Sequence, residues 1–297
     1  MVDLRRISAQ HYYDVLPSPT HRCGDIWSGI NTMGLIGAAP VSGIVVTPAC
    51  DLAQRKSETV TFLPIISLRC YFSTLGALPA VRRSVESSLR AGGFDPGIFW
   101  GEYSFRPPAP DIIAGAIQAI NIYAGTKRPN TKQIDALERA ISGLRIINHI
   151  AEQNLTAIPS QLLASAFKDW EDVKGKLIRN SYNTNLHFLP SDEQARAFSG
   201  MPSHSLVMFR YPITVPMEVL DLASGATEST WQGVAAVNIG AVPFLEHYRT
   251  KMPMKTLSVR SEFLSDLLSR YVAVYNRIGS PDFTPASVVR MCSEVDQ

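Results

Sequence analysis

The hydrophobic period of this chain changes twice, and this change constrains the fold more than any other feature. Residues 42–47 are rich in β-branched side chains, and residues 58–64 alternate polar and apolar side chains, which is typical of strands. From Pro79 the apolar residues recur with helical spacing, and strand patterns return at residues 186–189 and 205–210. A β-rich sequence that encloses a helical block predicts an insertion at a surface loop.

The helical block carries several apolar stripes. Asn130 and Gln133 have the spacing of a capping box and predict the start of one helix. A single continuous helix is predicted from one further stripe, formed by Leu163, Phe167, Trp170, Val173 and Leu177. These stripes predict a compact helical subdomain.

A final amphipathic helix is predicted near the end of the chain, where Gly279 and Pro281 stop it. Its apolar face contains Phe263, Leu264, Leu267, Leu268, Tyr271, Val274, Tyr275 and Ile278. The predicted fold is therefore α+β with three parts. Residues 1–66 form the first part of a β-barrel, residues 67–184 a helical insertion, and residues 185–297 the remaining barrel strands and the C-terminal helix.

The composition limits the classes of function. The 297 residues carry 28 Lys and Arg against 26 Asp and Glu, so the net charge of +2 gives no overall field for nucleic acid or an anionic membrane. With 45% hydrophobic and 18% charged residues, a mainly disordered chain is excluded. The most apolar stretch, residues 34–49, is broken by prolines and glycines and predicts no membrane span. The first residues predict no secretory signal, and we therefore expect a cytoplasmic protein.

The sequence predicts neither a metal site nor a cofactor. His21, Cys23, Cys50 and Cys70 are zinc-ligand types, but they lack the paired spacing of a structural zinc site and are interpreted as reduced, scattered thiols and a histidine. The chain has no Gly-rich phosphate loop, nucleophile elbow, zinc-protease motif or calcium loop.

The local motif that most suggests catalysis is Cys50-Asp51, a thiol next to a carboxylate after a predicted strand. In one interpretation Cys50 and Asp51 are catalytic, and Thr47, Arg55 and Lys56 bind the substrate or its developing anion. A carboxylate next to a thiol opposes thiolate formation, however. In the other interpretation Cys50 is a small buried apolar residue and Asp51 caps the following turn.

Two further pairs suggest a nucleic-acid site. Arg179 with His187, and Arg145 with His149, resemble the Arg and His pairs of HEPN ribonucleases, although the spacing departs from that family. Both pairs are therefore interpreted as surface or capping contacts, with a HEPN-type site as the less favoured alternative. Arg179 is kept as a candidate binding residue, because it belongs to one of several basic groups that would bind nucleic acid if they converged on one face.

Three segments together resemble the opening strands of the MazF/PemK toxin family, which has an SH3-like β-barrel. They are residues 24–27, the strand that runs into residues 47–52, and the strand that ends at residues 62–65. The end of the chain, residues 268–281, is similar to the closing helix of larger uncharacterised bacterial proteins with a Cys-Asp pair. The family's Arg-Pro pair is replaced by Ala-Ala-Pro-Val-Ser at residues 38–42, so its ribonuclease activity is not implied.

The resemblance implies an SH3-like barrel, a bacterial or phage-conflict setting and a groove for RNA or protein. The preferred hypothesis is a non-catalytic binding or regulatory subunit of a conflict, toxin-antitoxin or antiphage defence system, with a protein partner or RNA and no membrane. The alternative is a metal-independent ribonuclease or Cys-dependent hydrolase with its site at residues 47–56.

Overall fold

The computed structural model describes residues 9–14, 18–98, 106–191, 201 and 203–276. Within these ranges the chain is a mixed α and β protein, as the sequence predicts. The strands are β1 (Tyr13–Asp14), β2 (Asp25–Ile30), β3 (Val41–Val45), β4 (Thr59–Ser67), β5 (Leu186–Leu189), β6 (Ser205–Met208), β7 (Ile213–Pro216) and β8 (Met254–Val259).

The helices of the described residues lie before β1, between β3 and β4, between β4 and β5, between β7 and β8, and after β8. They are α1 (Ala9–Tyr12), α2 (Ala49–Ala53), α3 (Leu68–Tyr71), α4 (Leu78–Ala91), α5 (Pro110–Lys127), α6 (Thr131–Ala151), α7 (Ser160–Ala166), α8 (Trp170–Ile178), α9 (Met217–Ser224), α10 (Trp231–Asn238) and α11 (Ser261–Tyr275). Short 3-10 helices cover Pro96–Ile98 and Pro243–Tyr248. None of these helices is both long and apolar enough to cross a membrane.

The strands form one antiparallel sheet in the order β1-β8-β2-β3-β4-β6-β5, and β7 pairs with β4 beside β6. The predicted hairpin is confirmed as β3 and β4, with Ser42 opposite Ile65 and Val45 opposite Phe62. The sheet is open, and in this respect the predicted β-barrel is corrected. Its end strands β1, which is 2 residues long, and β5 share no backbone ladder in the described residues.

Side chains join the two ends of the sheet instead. The Tyr12 hydroxyl is hydrogen-bonded to Nε2 of His187 at 2.9 Å, and the Tyr13 hydroxyl donates to the Pro190 carbonyl at 2.7 Å. One face of the sheet is apolar, because alternate residues of each strand point to it. Helix α11 packs against this face. The buried strand residues of this face include Ile26, Ile44, Leu63, Ile65, Val207, Leu257 and Val259.

Helices α3 to α8 all lie between β4 and β5 in the sequence and form a helical layer. Their common core packs on Ile66, Leu206 and Met208 of the sheet. The helical layer thus begins and ends near the predicted boundaries of the insertion, residues 67 and 184. The division of the chain into separate domains stays a prediction. On the same face of the sheet, since Phe62 and Ile66 lie four residues apart on β4, α9 and α10 cover a second core around Trp27 and Phe62.

The single helix predicted from Leu163 to Leu177 is wrong. Phe167 is extended, with φ −108° and ψ 129°, and it ends α7. Asp169 then caps α8 by accepting the Asp172 N–H at 2.9 Å. The predicted capping box at the start of α6 is confirmed. The C-terminal helix is confirmed as α11, while its predicted stop at residues 279–281 lies outside the described residues.

Candidate functional site

A cleft of about 690 Å³ lies between the helical layer and the sheet. We call it the interlayer cleft. One side comes from α3, α4 and α8, and the other from the loop before β5 and the connection between β6 and β7. Its polar and aromatic lining residues are Tyr71, Arg83, Ser84, Phe167, Tyr182, Asn183, Asn185, Arg210 and Tyr211. None of the described lining residues is acidic.

Three tyrosines form much of the aromatic wall. Tyr71 is buried, and its hydroxyl donates to the Gly76 carbonyl at 3.0 Å and is also hydrogen-bonded by the Asn183 side chain. Burial raises the pKa of Tyr182 to about 12, although the nearby Arg83 charge lowers it. Burial also raises the pKa of Tyr71 and Tyr211. All three side chains are therefore neutral phenols at pH 7.

Two exposed arginines supply positive charge from different layers. Arg83 lies on α4, and Arg210 lies in the connection after β6. Among the residues that the structure describes, neither guanidinium pairs with a carboxylate, whereas the preceding Arg82 pairs with Glu86 at 2.8 Å. The charges of Arg83 and Arg210 therefore remain available to an anion.

Arg210 is held in place by neutral groups. Its Nε donates to Oδ1 of Asn185 at 3.0 Å, and its guanidinium carbon lies 6.0 Å from the ring centre of Tyr275. The neighbouring Asn183 accepts the Asn185 backbone N–H at 2.9 Å. These bonds orient the loop before β5 without neutralising the arginine.

The predicted catalytic loop lies elsewhere, at α2. Cys50 is exposed, and its thiol donates to Oδ1 of Asp51 at 3.4 Å. Thr47 is 8% exposed, and its hydroxyl accepts the Thr61 N–H at 2.8 Å, which ties β3 to β4. Lys56 is exposed. None of these residues lines the interlayer cleft, and their predicted catalytic and binding roles stay predictions.

Arg55 contributes to a separate groove of about 640 Å³, which we call the loop-side groove. Its guanidinium pairs with Oδ2 of Asp221 at 3.1 Å, and Oδ1 of Asp221 is hydrogen-bonded to Nε2 of His21 at 2.9 Å. Cys23 also lines this groove, but burial raises the pKa of its thiol to about 11, with Asp25 adding to the effect. The groove thus holds a thiol that stays protonated at pH 7, a pair formed by Arg55 and Asp221, and the exposed Arg22, which has no carboxylate partner among the described residues.

The remaining predicted residues do not converge. Arg179 ends α8, is exposed, and folds back over Gly175 outside the lining of the interlayer cleft. His187 is buried beside Tyr12, and His149 lies 3.7 Å from Glu152 on α6. In the described part of the chain no cluster of three or more His, Cys, Asp or Glu side chains could hold a metal ion.

Sequence reasoning missed most residues of the interlayer cleft. Arg83 was considered only as a member of one basic group, Arg210 and Tyr211 were placed at the end of a predicted strand, and Tyr182 and Asn185 were given no role. The available signal was the polar and aromatic composition of residues 181–185 and 210–211, each directly adjoining a buried strand. Comparison with protein-family models, curated proteins and solved structures yields no match for this chain.

Proposed function

We propose that this chain is a non-catalytic binding module that holds an anionic partner in the interlayer cleft. The observation that carries the proposal is the presence of two arginines without carboxylate partners in a cleft whose described lining contains no acidic residue. A guanidinium group binds carboxylate or phosphate through paired N–H donors, and its charge is permanent at physiological pH.

The chemistry of the lining favours binding over catalysis. General acid and base catalysts need a pKa near the working pH. The described lining contains no His, Cys, Asp or Glu, and its tyrosines have raised pKa values. The cleft can therefore orient and neutralise an anion, but it offers no group that would exchange a proton near pH 7.

The setting proposed for this module is a bacterial conflict or antiphage defence system, in which it binds a protein or RNA partner. This setting rests on the resemblance of the first strands to MazF/PemK toxins. The alternative of a ribonuclease or Cys-dependent hydrolase at residues 47–56 also stays a prediction, and the hydrogen bond from Cys50 to Asp51 does not favour a thiolate there.

Calorimetric titration of the full chain with tripolyphosphate and with decaglutamate tests the proposed function. We expect at least one anion to bind, with an affinity that falls as salt is added. The double variant Arg83→Ala/Arg210→Ala should weaken this binding about tenfold or more, since a charged hydrogen bond contributes about 1.5–3 kcal/mol. Phosphorus NMR should recover the tripolyphosphate intact.

Arg90→Ala is the matched control, because Arg90 lies on the same helix outside the cleft lining. It should bind both anions as the wild type does. The proposal is overturned if the double variant binds both anions with wild-type affinity, or if tripolyphosphate is hydrolysed by the wild type and not by the double variant.

A further inference from the structure

We propose that the ligand of the interlayer cleft is a nucleoside phosphate, with its base against the tyrosines and its phosphate at the two arginines. This inference rests on the proposed function, because it names the chemistry of the anionic partner. The cleft volume of about 690 Å³ is suitable, since small-molecule sites typically measure about 300–1,000 Å³.

The phosphate is assigned to Arg83 and Arg210. The Nε of Arg210 is used by Asn185, which fixes the plane of the guanidinium and leaves its terminal amino groups without a protein hydrogen-bond partner among the described residues. Arg83 approaches from α4 and is exposed. A phosphate has enough oxygens to accept hydrogen bonds from both guanidinium groups at once.

The base is assigned to the aromatic wall. Tyr182 and Tyr211 are half-buried, so each ring keeps part of its surface open to the cleft that it lines. Phe167 adds a buried aromatic side chain to the same lining. Flat aromatic side chains stack on nucleobases with little dependence on base identity, and each stacked base contributes substantially to affinity.

Asn185 provides a donor for the edge of the base. Its Oδ1 is occupied by Arg210, but its Nδ2 has no protein partner among the described residues. Asn183, in contrast, uses its Oδ1 for the Asn185 backbone N–H and its amide for Tyr71, and so acts as support. An amide Nδ2 donates two hydrogen bonds, which suits a carbonyl oxygen or ring nitrogen of a nucleobase.

An acidic peptide fits this lining less well. Its carboxylates would satisfy Arg83 and Arg210, but they would leave the aromatic wall and the Asn185 amide without a counterpart. A nucleoside phosphate uses all three kinds of group. It could be a free mononucleotide or one unit of a single strand, and the two sources share this chemistry.

Titration calorimetry of the full chain distinguishes these ligands. The probes are AMP, GMP, CMP and UMP, the four matching nucleosides, ribose 5-phosphate, decaglutamate and single-stranded decanucleotides. The variants are Arg83→Ala/Arg210→Ala and Tyr182→Leu, with Arg90→Ala as the control. The two cleft arginines are exposed, and circular dichroism checks that each variant keeps the wild-type fold.

We expect one monophosphate to bind about tenfold or more tightly than both its nucleoside and ribose 5-phosphate. The double arginine variant should remove the preference for the monophosphate over the nucleoside, while Tyr182→Leu weakens both. A decanucleotide that binds much more tightly than any monophosphate assigns the source as a single strand, and equal binding assigns it as a free nucleotide. Both results support the inference.

Two results overturn the inference and leave the proposed function standing. In the first, ribose 5-phosphate binds as tightly as every monophosphate. In the second, decaglutamate binds, but no nucleotide and no single strand does. In each case the double arginine variant loses the binding. If the double variant binds every probe as the wild type does, the inference and the proposed function fail together.

Discussion

The interlayer cleft and the loop-side groove are similar in volume, yet only the groove is lined by a carboxylate. In the groove, Asp221 pairs with Arg55, and Arg22 has no carboxylate partner among the described residues. In the cleft, Arg83 and Arg210 have no carboxylate partner among the described residues. A carboxylate offsets part of the positive charge of the groove, whereas a cleft lined by charges of one sign attracts an oppositely charged ligand. We therefore expect substitutions beside the groove to change stability and substitutions in the cleft to change binding.

The largest loss of stability is expected from Lys255→Met, because Lys255 contacts the groove residue Thr20 and pairs with a buried carboxylate. Nζ of Lys255 lies 2.9 Å from Oδ2 of Asp25, which is 0% exposed, and it also donates to the Ser18 and Thr20 carbonyls. Loss of the cation leaves a buried carboxylate unpaired, which costs about 3–5 kcal/mol. Urea unfolding measures this free energy.

Lys251→Met is the control for that substitution. Lys251 lies 3.6 Å from Glu228, and both side chains are at least half exposed. Exposed pairs of this kind contribute about 0–1 kcal/mol. Equal losses in the Lys251→Met and Lys255→Met variants would contradict the role of the buried pair.

His187, which is buried where the two ends of the sheet meet, extends the comparison between paired and unpaired groups, because its hydrogen-bond partner, the Tyr12 hydroxyl, is neutral. Burial lowers the pKa of His187 from 6.5 to about 4, and although Asp266 raises this pKa and Arg270 lowers it, burial has the largest effect. Between these two pH values the unfolded chain binds the extra proton, so stability falls as the pH is lowered. We expect a loss of about 3 kcal/mol by pH 4 from this group.

Urea unfolding at several pH values measures that loss. His187→Gln keeps a polar partner for the Tyr12 hydroxyl and removes the titrating ring. The free energy of unfolding of this variant should therefore change less between pH 6.5 and 4. His247→Gln, at an exposed position, should keep the wild-type profile. An unchanged slope in His187→Gln would show that other groups cause the acid sensitivity.

The sequence predicts local elements well and the cleft poorly, for a physical reason. Alternation in residues 58–64 and the Asn130–Gln133 cap are local signals, and both were confirmed. The break at Phe167 was missed because apolar spacing alone does not register an extended residue within a stripe. The interlayer cleft joins Arg83, Tyr182 and Arg210 from distant segments, and no local pattern links them.

A smaller change in stability is expected from Asp221→Asn in the loop-side groove. The substitution keeps the shape of the side chain and removes its charge from His21 and Arg55. Since Arg55 is 72% exposed, solvent screening limits the loss to about 1 kcal/mol. Thermal unfolding measures it, and calorimetry of the same variant should show wild-type anion binding. A tighter anion affinity, from removal of the carboxylate charge and release of Arg55, would place the groove within the binding site.

The smallest effect is expected at the Cys-Asp motif. Cys50→Ser keeps a donor for Asp51 at an exposed position, so both stability and anion binding should stay within about 0.5 kcal/mol of the wild type. The same variant and Asp51→Asn, incubated with mixed RNA with and without a chelator, test the alternative function. RNA cleavage by the wild type that either variant abolishes would favour a catalytic loop over a binding module.

Hydrogen exchange, with and without the tightest-binding monophosphate, tests the central claim most directly because it reports on both regions in one experiment. We expect the ligand to slow exchange at residues 182–186 and 208–211, which border the interlayer cleft. Residues 49–56, beside the loop-side groove, should exchange at the same rate in both samples. Protection confined to residues 49–56 would contradict the account, because it would place the ligand in the loop-side groove, where the Asp221 carboxylate opposes an anion.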